Sequence, residues 1–408
     1  MIKNALALAA ALLAAPAAAA PADQAAVVQG NTSFALQLYS RLASRPGNLF
    51  FSPYSISSAL AMTYGGAAGH TAEEMAKTLR LDLPSSRLHA AFGGLNQALN
   101  EGGKKGGYSL SVANALWGQR GAAFLAPFLD LVKRGYGAGL SQLDFKGDAE
   151  GARKSINGWV EQKTSGRIKD LIAPGVLNHL TQLVLTNAIY FKGKWEKEFK
   201  AGFTSDEPFY AVSGKQVKAR LMRQTTEFGY FDGGTFQQLE MPYQGQDLAM
   251  VVLLPRDKYG LAALEQTLSA EALQDWSAKV RRVKVQVHLP KFKMTEQIAL
   301  AKELKALGMS EAFDKQKADF APMNGKRPPD AEALSISEVI HKAFVEVNEE
   351  GTEAAAATAV VMQTLGMSAH PRLPPPPVFR ADHPFLFLIR DLHSGSILFL
   401  GRVVDPKA

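Results

Sequence analysis

Not one of the 408 residues is cysteine. No disulfide can staple the fold and no thiolate can hold zinc, so even in an oxidising compartment packing alone must hold the chain together. A strong excess of one charge is lacking too: 45 basic residues stand against 38 acidic ones, a formal net charge of +7. The local basic groups, Lys104-Lys105 and Arg281-Arg282, are short and read as solvated surface, which argues against nucleic acid as a partner. The eight histidines are scattered. Catalytic motifs are missing: there is no Gly-x-Ser-x-Gly elbow, no His-Glu-x-x-His and no phosphate-binding loop. Gly135, Gly137 and Gly139 have the wrong spacing for a dinucleotide fingerprint, and no clear strand precedes them. These absences disfavour an enzyme and imply neither a cofactor nor a metal site.

The first 22 residues read as a secretory signal peptide. Lys3 supplies the positive start, Ala5 to Ala15 is an apolar run too short to span a bilayer, and Ala20-Pro21-Ala22 is a small-x-small cleavage site before Asp23. Without a following cysteine there is no lipid-anchor signal. No later run reaches transmembrane length, so the expectation is a soluble, secreted or periplasmic protein cleaved after Ala22, with residues 23–408 as one domain.

What is present is a mixed set of elements without the regular alternation of a doubly wound fold. Phe34, Leu38 and Leu42 at helical spacing predict a helix over Asn31 to Ala43. Thr71-Ala72-Glu73-Glu74 reads as a capping box, and Ile156, Trp159 and Val160 mark another helix that Gly166 would end. Val283, Val285, Val287 and Leu289 alternate as a half-buried strand. Met250 to Leu254 is apolar throughout and suggests a strand buried on both faces. Phe385 to Ile389 and Ile397 to Leu400 are two more strands, joined by a turn at Ser394-Gly395. The class is α+β, with large and mostly antiparallel sheets. Pro371 to Pro377 reads as an exposed polyproline stretch; with only 31 residues after it, it returns the chain to a shared core rather than linking domains.

The most informative stretch runs from Glu349-Glu350-Gly351-Thr352-Glu353 through Ala354, Ala355, Ala356 and Ala357 to Thr358. Alanine makes it a tolerable helix or exposed loop. At a period of two, however, Thr352, Ala354, Ala356, Thr358, Val360 and Met362 form one uncharged face that starts small. That face would suit a strand against a packed core, while Glu353 and Gln363 opposite suit solvent. Gly351 gives a pivot without steric penalty.

Seven further motifs, taken in order, resemble the serpins along the whole mature chain. They are Asn48 to Ile56, Ala113 to Trp117, Thr186 to Trp195, Leu289 to Phe292, His341 to Ala343 leading into the alanine-rich segment, Phe379 to Phe387, and Leu398 to Val403. The alanine run and proline-rich return look most like bacterial members. The resemblance implies a single serpin fold of three β-sheets and about nine helices. It also implies an exposed reactive-centre loop over about residues 349–378, which serves as bait. A target protease forms an acyl-enzyme there, and the cut loop then inserts into the central sheet, distorting the protease before hydrolysis finishes.

On that resemblance the hinge comprises Glu349, Gly351, Thr352, Glu353, Ala354, Ala355, Ala356, Ala357 and Thr358. Family spacing puts the scissile bond between Leu365 and Gly366, with Met362 and Met367-Ser368 as alternatives. Leucine there would fill a hydrophobic specificity pocket, favouring a chymotrypsin-like or related serine protease as partner, with a cysteine protease as the alternative. Ser52, Ser55, Asn187 and His341 match the shutter, where the sheet parts; Trp195 and Lys291 match the breach, where insertion begins, and Lys291 is placed to pair with Glu349. The polysaccharide-binding helix of some serpins corresponds to about Ser85 to Asn100, where Arg87 is the only permanent cation, so no heparin-like cofactor is expected. The expected molecule is a monomer that binds no membrane. The competing reading is a non-inhibitory serpin, a binding or chaperone-like protein, whose hinge would carry bulky, charged or proline residues on its inward face.

Overall fold

The computed structural model describes residues 20–104, 108–212, 214–352 and 374–407. Its helices are α1 (Pro21–Leu42), α2 (Pro53–Tyr64), α3 (Gly69–Leu79), α4 (Ser85–Lys104), α5 (Ala126–Tyr136), α6 (Ala149–Lys163), α7 (Leu261–Gln266), α8 (Ala270–Lys279), α9 (Ala301–Ala306) and α10 (Ala321–Asn324). Its strands are β1 (Leu49–Phe51), β2 (Tyr108–Gln119), β3 (Leu140–Leu143), β4 (Leu183–Lys194), β5 (Ser205–Tyr210), β6 (Gln216–Asp232), β7 (Phe236–Pro242), β8 (Leu248–Pro255), β9 (Arg281–Pro290), β10 (Phe292–Ala299), β11 (Ile336–Val347), β12 (Gly351–Thr352), β13 (Val378–Arg380), β14 (Phe385–Asp391) and β15 (Ile397–Val403).

Nine strands join in one network, ordered β1-β15-β14-β8-β7-β6-β9-β13 with β5 on β6. The other six form a sheet ordered β10-β11-β12-β4-β2-β3. Among the described residues the implied three sheets appear as two hydrogen-bonded networks. The reason is β6, whose 17 residues pair in turn with β5, β9 and β7 and so fuse two sheets into one. Strand β8 is buried at every position, as its unbroken apolar run predicted.

Local chemistry shifts some boundaries. Helix α1 begins well before Asn31, because Pro21 is pre-set for a first helical turn and Val27 and Val28 extend the buried stripe. Helix α3 starts at Gly69, so Thr71 lies inside it and caps nothing. Its hydroxyl donates to Glu311, while Glu74 accepts the backbone N–H groups of Ser310 and Glu311. Gly137 is the left-handed residue after α5, not part of a phosphate loop. Gly166 lies just past α6 with φ of 76°, its N–H bonded to Glu161 O.

The six-stranded sheet has two covered faces, and β4 shows both. Leu183, Leu185, Ile189 and Phe191 belong to the main core, which both sheets share with α2. Val184, Ala188 and Tyr190 point the other way and pack beneath Ile156 and Val160 of α6. Helix α2 is buried along almost its whole length yet carries Ser55, Ser57, Ser58 and Thr63. Unpartnered hydroxyls there would be costly; Ser57 donates to Asn31 and Thr63 to the Ala59 carbonyl.

Candidate functional site

Strands β4 and β11 run parallel and in direct contact from Leu183/Ile336 to Tyr190/Phe344. Beyond that point they separate, and the two-residue strand β12 fills the gap. Gly351 and Thr352 pair with Lys194 and Gly193 of β4, and Thr352 pairs with Val347 of β11, both antiparallel. The segment expected to begin an exposed loop at 349 therefore begins inside the sheet. Thr352 is fully buried.

The turn that folds Gly351 back is tightly specified. The Asn348 side-chain oxygen accepts the N–H groups of Glu350 and Gly351 at 3.0 and 3.3 Å, as an Asx turn does. The N–H groups of Trp195 and Phe199 donate to the carbonyls of Glu350 and Glu349, both at 2.8 Å. The Trp195 indole donates to Asn348 O at 2.9 Å. Gly351 must be glycine, since a Cβ there would lie 2.0 Å from Gly193 O.

Lys291 Nζ bonds Glu349 at 2.7 Å, and Thr204 donates to the other carboxylate oxygen at 2.9 Å. Burial works to raise the Glu349 carboxyl, but Lys291, its own backbone N–H and Thr204 outweigh it and hold the group below the usual carboxylate range. Trp195 stacks on Tyr243 at 4.7 Å, and the Tyr243 hydroxyl meets Thr352 Oγ1 at 2.7 Å.

Further down, where β4 and β11 are in direct contact, Ser52, Ser55, Asn187 and His341 form one buried network. His341 Nδ1 donates to Asn187 Oδ1, and His341 Nε2 accepts the Ser52 N–H at 3.1 Å. Asn187 Nδ2 donates to Ser55 Oγ at 2.6 Å. Burial pushes His341 down to about 3, which keeps the ring neutral and fixes one nitrogen as donor and one as acceptor. The network spans α2, β4 and β11, the elements that must shift if these strands part.

Sequence reasoning missed Asn114 on β2. Its amide oxygen accepts from Ser55 Oγ at 3.1 Å and from Asn187, and its nitrogen reaches Ser55 O. An asparagine between Ala113 and Ala115 on a buried strand was the available signal. Thr204, Tyr243 and Asn348 were missed as well, because only tertiary folding brings them to the turn. Arg87 bonds Asp23 of α1, and its helix runs beyond Asn100 to Lys104. Glu353, Ala354, Ala355, Ala356, Ala357, Thr358, Met362, Leu365, Gly366, Met367 and Ser368 lie outside the described residues.

The model of the family "Serpin (serine protease inhibitor)" matches residues 29–406. The chain belongs to the serpins. It is accordingly a member of a family of protease inhibitors and not an enzyme. Leukocyte elastase inhibitor A of Rattus norvegicus is 43% identical over 386 residues, covering 92% of this chain and 98% of that one. Leukocyte elastase inhibitor of Homo sapiens is 42% identical with the same coverage. Uncleaved ovalbumin superposes with a TM-score of 0.81 at 32% identity, covering 93% of this chain and all of the other. These elastase-inhibitor relatives are vertebrate proteins and lend no support to the bacterial affinity read from the alanine and proline runs.

Proposed function

We propose that this serpin is inhibitory: a protease cuts its loop, and the cut strand enters between β4 and β11, which part to admit it, before the acyl-enzyme is hydrolysed. The observation that carries the reading is β12, a two-residue strand already in register between them. Continued in that register, Thr358 would arrive opposite Asn187 on β4 and His341 on β11, where its hydroxyl would meet the network that now joins those two strands directly. Ala354 and Ala356 would face the main core. Ala355 and Ala357 would lie opposite Tyr190 and Ala188, beneath α6. Small side chains are thus needed on both faces, which accounts for an unbroken alanine run better than one inward face does.

The same register ends β4 at Met362, opposite Leu183. A cut between Leu365 and Gly366 leaves three residues of slack to the ester, whereas a cut after Met362 leaves none. The 14 residues from Thr352 to Leu365 span roughly 45 Å as a strand at about 3.3 Å each, enough to carry an attached protease across the molecule. Each inserted residue gains ladder hydrogen bonds and burial, so the uncut state would be held kinetically. Leu365 suits a hydrophobic specificity pocket, favouring chymotrypsin-like proteases. The relatives' names add leukocyte elastase to the panel. Export, with cleavage after Ala22, is part of the proposal and rests on Lys3, the apolar run and the small-residue site.

Incubation with chymotrypsin and elastase followed by a denaturing gel tests this. A covalent complex and a released peptide beginning at Gly366 are expected; clean cleavage without complex across a broad panel would defeat the inhibitory reading.

A further inference from the structure

The Tyr243 hydroxyl is fully buried, and the partner the structure gives it is Thr352 Oγ1 at 2.7 Å. The ring is rigidly placed. It stacks on Trp195 with planes 10° apart, meets Phe191 edge-on at 4.9 Å, and its backbone, just past β7, forms an isolated antiparallel bridge with Trp195. Gly193 completes the seat: a Cβ there would lie 2.7 Å from the Phe191 ring and 2.9 Å from the Tyr243 ring. The residues before Thr352 are pinned through the turn, by Asn348, Trp195, Phe199 and Lys291. Thr352 is the first residue past that turn, and Tyr243 is its side-chain partner.

The asymmetry of buried hydrogen bonds then matters. If Thr352 left the sheet, it would regain water, but the Tyr243 hydroxyl, on a ring held by Trp195 and Phe191, would stay behind and lose this partner. That loss is paid on the Tyr243 side alone and opposes release. A phenylalanine at this position would pack equally well on Trp195 and Phe191 and would carry no such penalty. The hydroxyl therefore has a role separate from the ring's core packing.

We propose that Tyr243 is a positioning residue for loop insertion: its hydroxyl latches Thr352 between β4 and β11 and keeps a strand nucleus formed before any protease arrives. The proposal rests on the inhibitory reading for its consequence, since a preformed nucleus spares the cut loop the slow first step of strand pairing while hydrolysis competes. The latch itself is independent of any protease.

Two variants separate the latch from core packing. Tyr243→Phe removes the hydroxyl and keeps the ring; Thr352→Val removes the partner and keeps the β-branched shape. Hydrogen exchange read by mass spectrometry reports the docked turn directly, through the N–H groups of Asn348, Trp195 and Phe199 that it holds. The loss of one net hydrogen bond corresponds to a docking equilibrium shifted about two- to tenfold, and these amides should exchange faster by that factor in each variant. The double variant should exchange no faster than either single one, because both remove the same bond. In parallel, the share of protease encounters ending in covalent complex should fall in both variants. Unchanged exchange in both, or effects that add in the double variant, would overturn the latch. If Tyr243→Phe loses its cooperative thermal transition, Thr352→Val decides alone. If the wild-type chain traps no protease, the inhibitory reading fails, yet the exchange data still decide whether the latch exists.

Discussion

Thr352→Arg places a charge where the structure has none to spare room for. Thr352 is fully buried between Gly193 and Val347, with its side chain against the Tyr243 hydroxyl and the Trp195–Tyr243–Phe191 aromatic cluster. An unpaired charge brought into such a site costs several kcal/mol even after local relaxation. Taking about 4 kcal/mol, the docked turn becomes roughly a thousandfold less populated, and every later attempt at insertion must cross the same added barrier. Attack on the proposed bait bond does not pass through this buried site. The expected result is a variant that acylates the protease at close to the wild-type rate but is released as cut product, with the number of inhibitor molecules consumed per protease rising steeply. Titration of a chymotrypsin-like protease, with a denaturing gel to separate complex from cleaved chain, measures it. Trapping at wild-type efficiency would refute the reasoning, since it would mean that position 352 does not enter the sheet.

Three further predictions follow from the same cleft. Asn114→Ala leaves Ser55 and Asn187 short of a buried partner and should lower stability by about 1–3 kcal/mol, measured by denaturant unfolding. Because His341 is pushed down to about 3, the unfolded chain takes up a proton below about pH 6.5 that the folded chain refuses until much lower pH. Stability should therefore fall as pH drops through that window, by up to about 1.4 kcal/mol per unit from this group, and His341→Gln should flatten that share of the slope. Glu349 is held below its ordinary value, so its contribution is present above about pH 4.5 and fades as pH falls through its lowered value. Lys291→Met should lower the melting temperature at pH 7, and the gap from wild type should narrow as pH falls below about 4.5 and close only below the lowered folded value.

Much of this fold was legible because apolar pattern and strand geometry agree. The unbroken run of β8, the alternation of β9 and the paired runs of β14 and β15 each demand the burial they receive. The start of α1 was not legible, since alanines upstream of Asn31 carry no periodic signal until Val27 and Val28 find their neighbours. The capping-box reading failed because Thr71 and Glu74 serve a tertiary contact with Ser310 and Glu311 rather than their own helix. At the site, the residues that share the cleft could be gathered from motifs, and the Lys291–Glu349 pair has the anticipated partners. The docked state of Gly351 and Thr352 could not be read, because local sequence permits loop and strand equally. Trp195, Phe199, Lys291 and Tyr243, all distant in sequence, select the strand.

The account's central claim is that the segment after Thr352 becomes a strand between β4 and β11 once its loop is cut. Thermal unfolding of intact and loop-cleaved protein, with hydrogen exchange followed at β4 and β11, tests this most directly. A cleaved chain with a much higher melting temperature, and new protection along both strands down to Leu183 and Ile336, is the predicted result. A cleaved chain that melts with the intact one and gains no protection there would contradict it.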